Sequence, residues 1–265
     1  MRIHSLVLSA LIAIANQGLV KPALATPYWQ DSPLNLVDSV IQQQHKLQTA
    51  QIPKTRFKVR IENISRTDEF DASNGMKWTL DFSPGVWLVS DGSNPLFTVG
   101  KTDRDQGLEA IAEDGNPTQL ADSLKHQTGV QSSGIFNTPV GATQPKGIRP
   151  GQSFEFTVTA APGQKLSLAT MFGQSNDWFY APGGNGIALF DANGQPIRGD
   201  VTSQINLWDD GTEADEEPGV GLNQGPRQKM ANSGPVDPNG QVRLVTGSGL
   251  YTKASQVMRV TITPE

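Results

Sequence analysis

The sequence predicts an all-β protein built as an antiparallel β-sandwich, and two patterns support this prediction. Apolar and polar residues alternate along short segments such as 57–62 and 153–158, as they do in half-buried antiparallel strands. Turn sequences follow such segments, with Ala161-Pro162-Gly163 between two alternating runs and Asn193-Gly194 suited to the positive φ of a tight turn. Roughly eight or nine strands at this spacing are typical of a sandwich.

The other predicted elements follow one another along the chain. Strand-like runs occur at 57–62, 78–82, 86–89, 153–158, 166–172, 186–190, 201–208, 241–245 and 257–263. Two stretches, 105–115 and 118–125, predict one or two short helices in a connecting segment, with Gly115 and Asn116-Pro117 as the stop signal. Residues 127–152 and 214–240 hold many Gly and Pro residues, so we expect long surface loops there.

The N-terminus has the pattern of an export signal. A short basic start is followed by an apolar run at 5–15 and by Ala23-Leu24-Ala25, so we expect cleavage after Ala25. The apolar run is shorter than the about 20 residues of a membrane-spanning helix; the alternative is an uncleaved amphipathic helix. The predicted organisation is a signal peptide at 1–25, a lead-in segment at 26–54 that is a short helix or a tail, and a β-sandwich domain at 55–265. The protein is then secreted or periplasmic.

Composition excludes several classes of function. The net charge is −5 and no run of Lys and Arg is present, which argues against nucleic acid as a partner. The same two features argue against binding to a membrane surface. The sequence contains no cysteine, so disulfides, thiolate metal sites and cysteine nucleophiles are all excluded.

Two acidic segments stand out at the ends of strand-like runs. The first is Ser175-Asn176-Asp177-Trp178-Phe179 and the second is Leu207-Trp208-Asp209-Asp210-Gly211-Thr212-Glu213. Two further strand-like runs separate them, so both segments are able to return to one end of a sheet. A hard cation such as Ca²⁺ takes about 6–8 oxygen ligands, and a turn at Gly211 would aim two acids of the second segment inward.

A solvated acidic loop is the alternative explanation of the second segment. Runs of charge are usually solvated surface, and the spacing lacks the Asp-x-Asp-x-Asp-Gly register of an EF-hand. The residue types alone leave both interpretations open.

The two acidic segments resemble those of the spondin N-terminal domain family. Its members carry Ser-Pro-Asp-Trp-Phe followed by Trp-Asp-Ala-Gly-Thr-Asp. Residues 107–115 and 216–221 also resemble the bacterial branch of the family, and the resemblance covers about residues 55–263. It implies a spondin-like β-sandwich of C2-like type with one Ca²⁺ near one end, bound here by Asp177, Asp209 and Glu213.

This sequence departs from the family pattern at three positions. Asn176 stands in place of Pro, Asp210 in place of Ala, and Glu213 in place of the second Asp. Glutamate reaches about one methylene further, which allows bidentate coordination or a looser one than that of aspartate. Asp210 and the acids at 215–217 are expected to extend the negative field without binding the ion. Some relatives use an acid from the preceding strand; Glu155 is the nearest candidate here and is not assigned.

The residues favour a binding module over an enzyme. The three histidines, His4, His45 and His126, are not spaced for a zinc triad or a nucleophile, and no Gly-x-Ser-x-Gly elbow is present. Asp209 and Glu213 are the only plausible glycosidase pair, and they are better explained as metal ligands.

We therefore expect an exported, non-catalytic calcium-binding module that binds or adheres to an extracellular or envelope protein or glycan. One alternative is a carboxylate-based hydrolase acting on glycans, and another is a purely structural, metal-stabilised domain. Exposure of Trp178, Phe179 and Tyr180 would favour a binding surface, whereas their burial would favour core packing.

Overall fold

Two antiparallel sheets pack face to face and make this chain an all-β sandwich, as the sequence predicts. The computed structural model describes residues 53–92 and 96–265, so the expected signal peptide at 1–25 and nearly all of the lead-in at 26–54 lie outside the described residues. Ile52–Glu265 form one compact unit.

The strands in the described residues are β1 (Thr55–Asn63), β2 (Phe70–Asp71), β3 (Lys77–Trp78), β4 (Phe82–Ser90), β5 (Val130–Phe136), β6 (Ser153–Ala160), β7 (Lys165–Phe172), β8 (Trp178–Pro182), β9 (Ile187–Ala188), β10 (Gly199–Asp200), β11 (Ile205–Asp209), β12 (Arg243–Leu244) and β13 (Met258–Pro264). The same residues contain the short helices α1 (Leu108–Asp114), α2 (Thr118–Leu124) and α3 (Ala254–Val257), and single 3₁₀ turns at Thr202–Gln204 and Leu250–Thr252.

The smaller sheet has the strand order β10-β13-β1-β6. The larger, seven-stranded sheet has the order β12-β11-β8-β7-β4-β5, with β9 also pairing with β7. A two-stranded ribbon, β2-β3, lies apart from both sheets in the pairing scheme. Strand pairing throughout is antiparallel, so successive strands of the larger sheet bring their connections to its two ends alternately.

The core of the sandwich follows from strand alternation. In β1, Phe57, Val59 and Ile61 are fully buried, while Lys58 and Arg60 point outward. The buried residues pack against the inner face of the larger sheet, including side chains from β7, β8 and β11. Burial of this kind is worth about 25 cal/mol per Å² of apolar surface, and the period of two places every second side chain in the core.

A second apolar cluster lies on the other face of the larger sheet. Leu108 and Ile111 of α1, together with Leu120 and Leu124 of α2, pack with side chains of β4, β7, β8 and β11. The larger sheet is thus buried on both faces, so consecutive residues point into different cores. Leu207 belongs to the core between the sheets and its neighbour Trp208 to the core under the helices.

Some elements differ from the sequence-based expectation. Residues 127–152, expected to be a loop, contain the edge strand β5, which pairs with β4 from Gly85↔Phe136 to Ser90↔Val130. Its small residues hide the usual alternation: a Cβ at Gly134 would lie 2.8 Å from the Trp87 ring, so the strand needs glycine there. The residues between the runs expected at 78–82 and 86–89 do not separate two strands: β4 continues from Phe82 to Ser90, with a register shift between Phe82 and Gly85.

The two helices were predicted correctly in position. α1 ends at Asp114 and is capped by Gly115, whose left-handed φ of 65° allows its N–H to be donated back to the last turn of the helix. Among the described residues, no helix combines the length and apolar character that crossing a bilayer requires.

Candidate metal centre

The two acidic segments meet at one end of the larger sheet. β8 begins at Trp178 and β11 ends at Asp209, and these two residues are directly paired in the antiparallel register. The pairing continues one step further, because the N–H of Asp210 donates to the carbonyl oxygen of Asp177 at 3.1 Å. Residues far apart in the chain are therefore held side by side by backbone hydrogen bonds.

Asp177 is fully buried and anchors the turn that follows β11. Its Oδ2 accepts the backbone N–H groups of Thr212 at 2.8 Å and Glu213 at 3.0 Å. Its Oδ1 has no hydrogen-bond partner in the described part of the chain. One oxygen thus orders the backbone at 212–213, and the other is left available to a ligand.

Asp209 is oriented by a tight turn. Its Oδ1 accepts the N–H of Gly211 at 2.7 Å, and Gly211 has a φ of +78°. A Cβ at this position would lie 2.5 Å from the backbone nitrogen of Gln241. Glycine is required here both for the backbone conformation and for the close approach of the neighbouring chain.

The residues after the turn are held by a second segment. Glu213 forms an isolated antiparallel bridge with Val236, and the N–H of Ala214 donates to the carbonyl of Pro235 at 2.7 Å. Ala214 therefore lies in a fixed backbone position between two acids, Glu213 and Asp215, whose side chains take different directions.

Three aspartates converge at this end of the sheet. Asp177, Asp209 and Asp215 each offer a carboxylate oxygen, and these oxygens lie within 4.8 Å of one another. Ca²⁺ binds oxygen at about 2.3–2.6 Å, so ligands on opposite sides of one ion are about 5 Å apart. We call these three residues the aspartate cluster; its dimensions match those of a single hard cation.

Glu213, the third ligand implied by the family resemblance, is placed elsewhere. Its carboxylate is buried and accepts the N–H of Gly234 at 2.5 Å and the side-chain amide of Asn176 at 3.3 Å. A Cβ at Gly234 would lie 2.0 Å from Glu213 Oε2, so only glycine leaves room for this arrangement. The structure brings Asp177 and Asp209 together but does not bring Glu213 into the aspartate cluster.

Asp215 takes the third place in the cluster, although the sequence suggested that it only extends the negative field. Its Oδ1 accepts the indole N–H of Trp178 at 2.6 Å, which aims the carboxylate back toward β8. Spacing along the chain does not signal this contact, because it depends on the pairing of β8 with β11. Glu155, left unassigned, contacts Lys58 at 3.3 Å and Arg60 at 3.5 Å on β1 and is outside the aspartate cluster.

Arg243, which the sequence did not single out, supplies positive charge to the cluster. One guanidinium nitrogen contacts Asp209 and lies 3.5 Å from Asp215, and the other lies 2.6 Å from Asp237. Arg243 comes from β12, which pairs with β11 at Asp209↔Arg243. Arg243 therefore neutralises two of the acids that a bound cation would neutralise.

Burial sets the protonation of the cluster. Burial raises the pKa of Asp209 to about 8, with the charges of Asp177 and Asp215 adding to the effect and Arg243 opposing it. Burial also raises the pKa of Asp177 to about 6, and the N–H donors of Glu213 and Thr212 oppose that rise. Without a further cation, protons therefore compete for these carboxylates near neutral pH.

The aromatic residues beside the acids are buried. Trp178 is 8% exposed, and Phe179 and Tyr180 are fully buried. The Tyr180 hydroxyl donates to the carbonyl of Tyr251 at 2.6 Å. Burial of this run matches core packing, so it does not provide an aromatic binding surface.

No family model matches the chain, and no curated protein matches it significantly. The resemblance to spondin N-terminal domains therefore rests on the two acidic motifs and their flanking segments, and it stays a prediction.

Proposed function

We propose that this chain is an exported calcium-binding β-sandwich module that works by binding and not by catalysis. The observation that carries the proposal is the convergence of Asp177, Asp209 and Asp215 within 4.8 Å at one end of the larger sheet. Their donors are all carboxylate oxygens, the ligand type that Ca²⁺ prefers and that soft metals do not.

The ligand set follows from the contacts of each acid. Asp177 has a buried Oδ1 with no hydrogen-bond partner among the described residues, so it offers an oxygen at no cost in broken hydrogen bonds. Asp209 and Asp215 are freed for the ion when Arg243 shifts away from them. Glu213 joins the set only if it leaves Gly234 and Asn176.

The proposal of a partner outside the cytoplasm rests on the sequence. The expected export signal and the resemblance to spondin N-terminal domains support a partner outside the cytoplasm, an extracellular or envelope protein or a glycan. This step relies on analogy between folds, which by itself does not determine function. Nothing in the described residues favours the hydrolase alternative, because Asp209 and Glu213 are each only 2% exposed and a catalytic pair has to reach its substrate.

A structural role for the ion is the second candidate. It is favoured by the burial of Asp177 and Asp209, which places the cluster mostly inside the protein. An ion there would tie the start of β8 to the end of β11 and to the turn at 210–215 without contacting a partner.

Thermal unfolding of the full chain with Ca²⁺ and with chelator tests metal binding. At a Ca²⁺ concentration about a hundred times Kd, binding adds about 2.7 kcal/mol, which for a domain of this size raises Tm by about 5–10 °C. Asp215→Asn should abolish most of this shift, whereas Glu213→Gln should leave it if the ligand set is as proposed. Asp122→Asn, an exposed acid on α2 paired with Lys125, is the control. A wild-type Tm that does not respond to Ca²⁺ would refute the proposal.

If the ion takes part in binding, capture of a partner depends on Ca²⁺; if the ion is only structural, capture by the folded protein does not. A glycan array and an envelope-protein pull-down should both be run with Ca²⁺ and with chelator, at a temperature where both forms stay folded. Ca²⁺-dependent capture supports the binding role. Capture that is the same in chelator assigns the ion a structural role.

A further inference from the structure

An acidic cavity of about 210 Å³ lies beside helix α1. Its volume is that of several water molecules, each of which takes about 30 Å³ in the liquid. None of the described lining residues is Lys, Arg or His, so a positively charged group that enters meets no like charge there. The polar side chains of the lining are four carboxylates and two amides, from Asp105, Glu109, Glu113, Asp114, Gln119 and Asn232.

The helix brings two of these acids to one side. Glu109 and Glu113 are four residues apart in α1, and residues at this spacing lie on the same face of a helix. Leu108 and Ile111 of the same helix pack instead into the core under the helices. Like charges at a spacing of four residues repel each other, and a cation bound in the cavity would relieve that repulsion.

Glu113 is buried and has one oxygen without a partner. It is 1% exposed, and its Oε1 accepts the Thr212 hydroxyl at 2.7 Å. Its Oε2 has no hydrogen-bond partner in the part of the chain that the structure describes. An ionised carboxylate buried in this way is strongly unfavourable, so either a proton or a bound cation has to neutralise it.

Two further acids of the cavity are held by neutral amides. Oε1 of Glu109 accepts the side-chain amide of Asn232 at 2.8 Å, and Oδ1 of Asp114 accepts that of Gln228 at 2.7 Å. An amide donor orients a carboxylate but carries no charge. The cavity therefore presents oriented acceptors whose negative charge these contacts leave in place.

The spacing of the acids favours a polyatomic cation over a metal ion. In the described residues, the only three acids that bring oxygens within 4.8 Å of one another are Asp177, Asp209 and Asp215. The cavity thus lacks the close cage of carboxylates that suits a metal ion. A guanidinium is larger, and its five N–H donors in one plane reach acceptors on several sides. It is also more weakly hydrated than an ammonium, so it loses less hydration beside a buried carboxylate.

We infer that this cavity binds the guanidinium of an arginine side chain on a partner protein, with Oε2 of Glu113 as the buried acceptor. Arginine within a peptide is favoured over free arginine, because the α-carboxylate of the free amino acid would meet the acids of the cavity with no positive group to balance it. The inference rests on the proposed binding function and names the chemistry of the partner. It does not require Ca²⁺, because none of the lining acids belongs to the aspartate cluster.

NMR titration of the full chain in chelator tests the inference. The probe is N-acetyl-arginine methylamide, and the matched controls are the corresponding lysine and citrulline compounds, of which the second keeps the shape of arginine without its charge. We expect saturable shifts of the backbone amide signals of 107–114 and Asn232 with the arginine probe. Binding should be at least tenfold weaker with the lysine compound and absent with the citrulline compound. Free L-arginine should bind more weakly than the blocked probe.

Substitution of Glu113 separates a binding site from an acidic surface. Glu113→Gln keeps an oxygen for the Thr212 hydroxyl but removes the charge, so it should weaken binding of the arginine probe at least tenfold. The control Asp122→Asn, an exposed acid outside the lining, should bind the probe as wild type does. If Glu113→Gln does not fold, as judged by circular dichroism, Glu109→Gln decides, and it too should weaken binding.

Three results would overturn the inference. The first is a wild-type chain that gives no saturable shift with the arginine probe, which would identify Glu113 as a buried, protonated acid. The second is binding that is unchanged in Glu113→Gln or, where that variant does not fold, in Glu109→Gln. The third is equal affinity for the lysine and arginine compounds. Failure of the calcium proposal would look different, because it concerns the response to Ca²⁺, which is absent from this titration.

Discussion

Replacing Arg243 by Met tests whether the aspartate cluster is a cation site. The substitution removes the guanidinium but keeps an unbranched side chain of similar length. In the structure this group contacts Asp209, lies 3.5 Å from Asp215 and lies 2.6 Å from Asp237. A metal ion and Arg243 would neutralise the same acids, so the two compete.

The size of the effect follows from the position of the side chain. Two unit charges 4 Å apart interact by about 1 kcal/mol in water and about 4 kcal/mol at an effective dielectric constant of about 20. The Arg243 side chain is 31% exposed, and those of Asp209 and Asp237 are 3% and 8% exposed, so its environment lies between these limits. We expect the metal-free protein to lose about 1–3 kcal/mol of unfolding free energy, because the acids lose their counter-charge.

The same change should strengthen Ca²⁺ binding. Removing a competing positive charge favours the ion by about 1.4–2.8 kcal/mol, which is a tenfold to hundredfold decrease in Kd. Calorimetric titration measures Kd, and thermal unfolding in chelator measures the loss of stability. The two effects together make the Ca²⁺-induced rise in Tm larger in Arg243→Met than in wild type.

Arg259→Met is the matched control. Arg259 is half-exposed and its nearest acid, Glu62, is 3.8 Å away, an exposed pair worth about 0–1 kcal/mol. It should change neither Kd nor the Tm shift. If Arg243→Met binds Ca²⁺ no more tightly than wild type, Arg243 does not compete with an ion, and the reasoning that places the cation among these acids is wrong.

Three further predictions concern the same end of the sheet. In the folded protein the pKa values of Asp209 (about 8) and Asp177 (about 6) exceed the ordinary 3.8, so in chelator the stability they contribute is complete below about pH 4 and is lost as pH rises to about 8. Since Ca²⁺ needs ionised ligands, the rise in Tm that Ca²⁺ causes should grow over the same pH range. A Ca²⁺-induced rise in Tm that does not depend on pH would contradict this. Gly211→Ala should destabilise the protein by more than about 2 kcal/mol in chemical denaturation, because the positive φ costs about 1–2 kcal/mol and the new Cβ meets Gln241; a loss below 1 kcal/mol would show that the turn relaxes. Trp178→Phe removes the indole donor of the partly buried hydrogen bond that aims Asp215, so Kd for Ca²⁺ should rise about tenfold by titration. An unchanged Kd would mean that the bond does not position Asp215.

The fold was largely predictable because burial follows alternation. The run 57–62 shows the period of two, and β1 buries Phe57, Val59 and Ile61 as that period requires. The strand β5 could not be predicted in the same way. Its Ser132, Ser133 and Gly134 show no apolar rhythm, and the strand exists because β4 offers it backbone partners.

The candidate site was predictable only where backbone pairing decides it. Asp177 and Asp209 flank segments that pair as neighbouring strands, so their proximity follows from the topology. The choice between Glu213 and Asp215 depends on long-range contacts: Gly234 and Asn176 hold the first, and the Trp178 indole holds the second. No local spacing encodes these contacts.

Arg243 and Asp210 illustrate the same limit for charge. Arg243 reaches the cluster only because β12 pairs with β11, a contact between distant parts of the chain. Asp210 reads as one more acid in an acidic run, and runs of charge usually face water. In the structure Asp210 is fully buried directly after β11, which no local pattern signals.

Direct titration with Ca²⁺ tests the central claim most sharply, comparing the full chain with Asp177→Asn. Asp177 belongs to the aspartate cluster, and its Oδ1 has no hydrogen-bond partner in the described residues. Asn at this position removes the charge of the ligand but keeps the size of the side chain and an oxygen that can accept the N–H groups of the turn after β11. We expect wild type to bind one Ca²⁺ at the cluster and Asp177→Asn to lose that binding while Asp122→Asn retains it. A wild-type chain that binds no Ca²⁺, or a folded Asp177→Asn that binds it with unchanged affinity, would contradict the account.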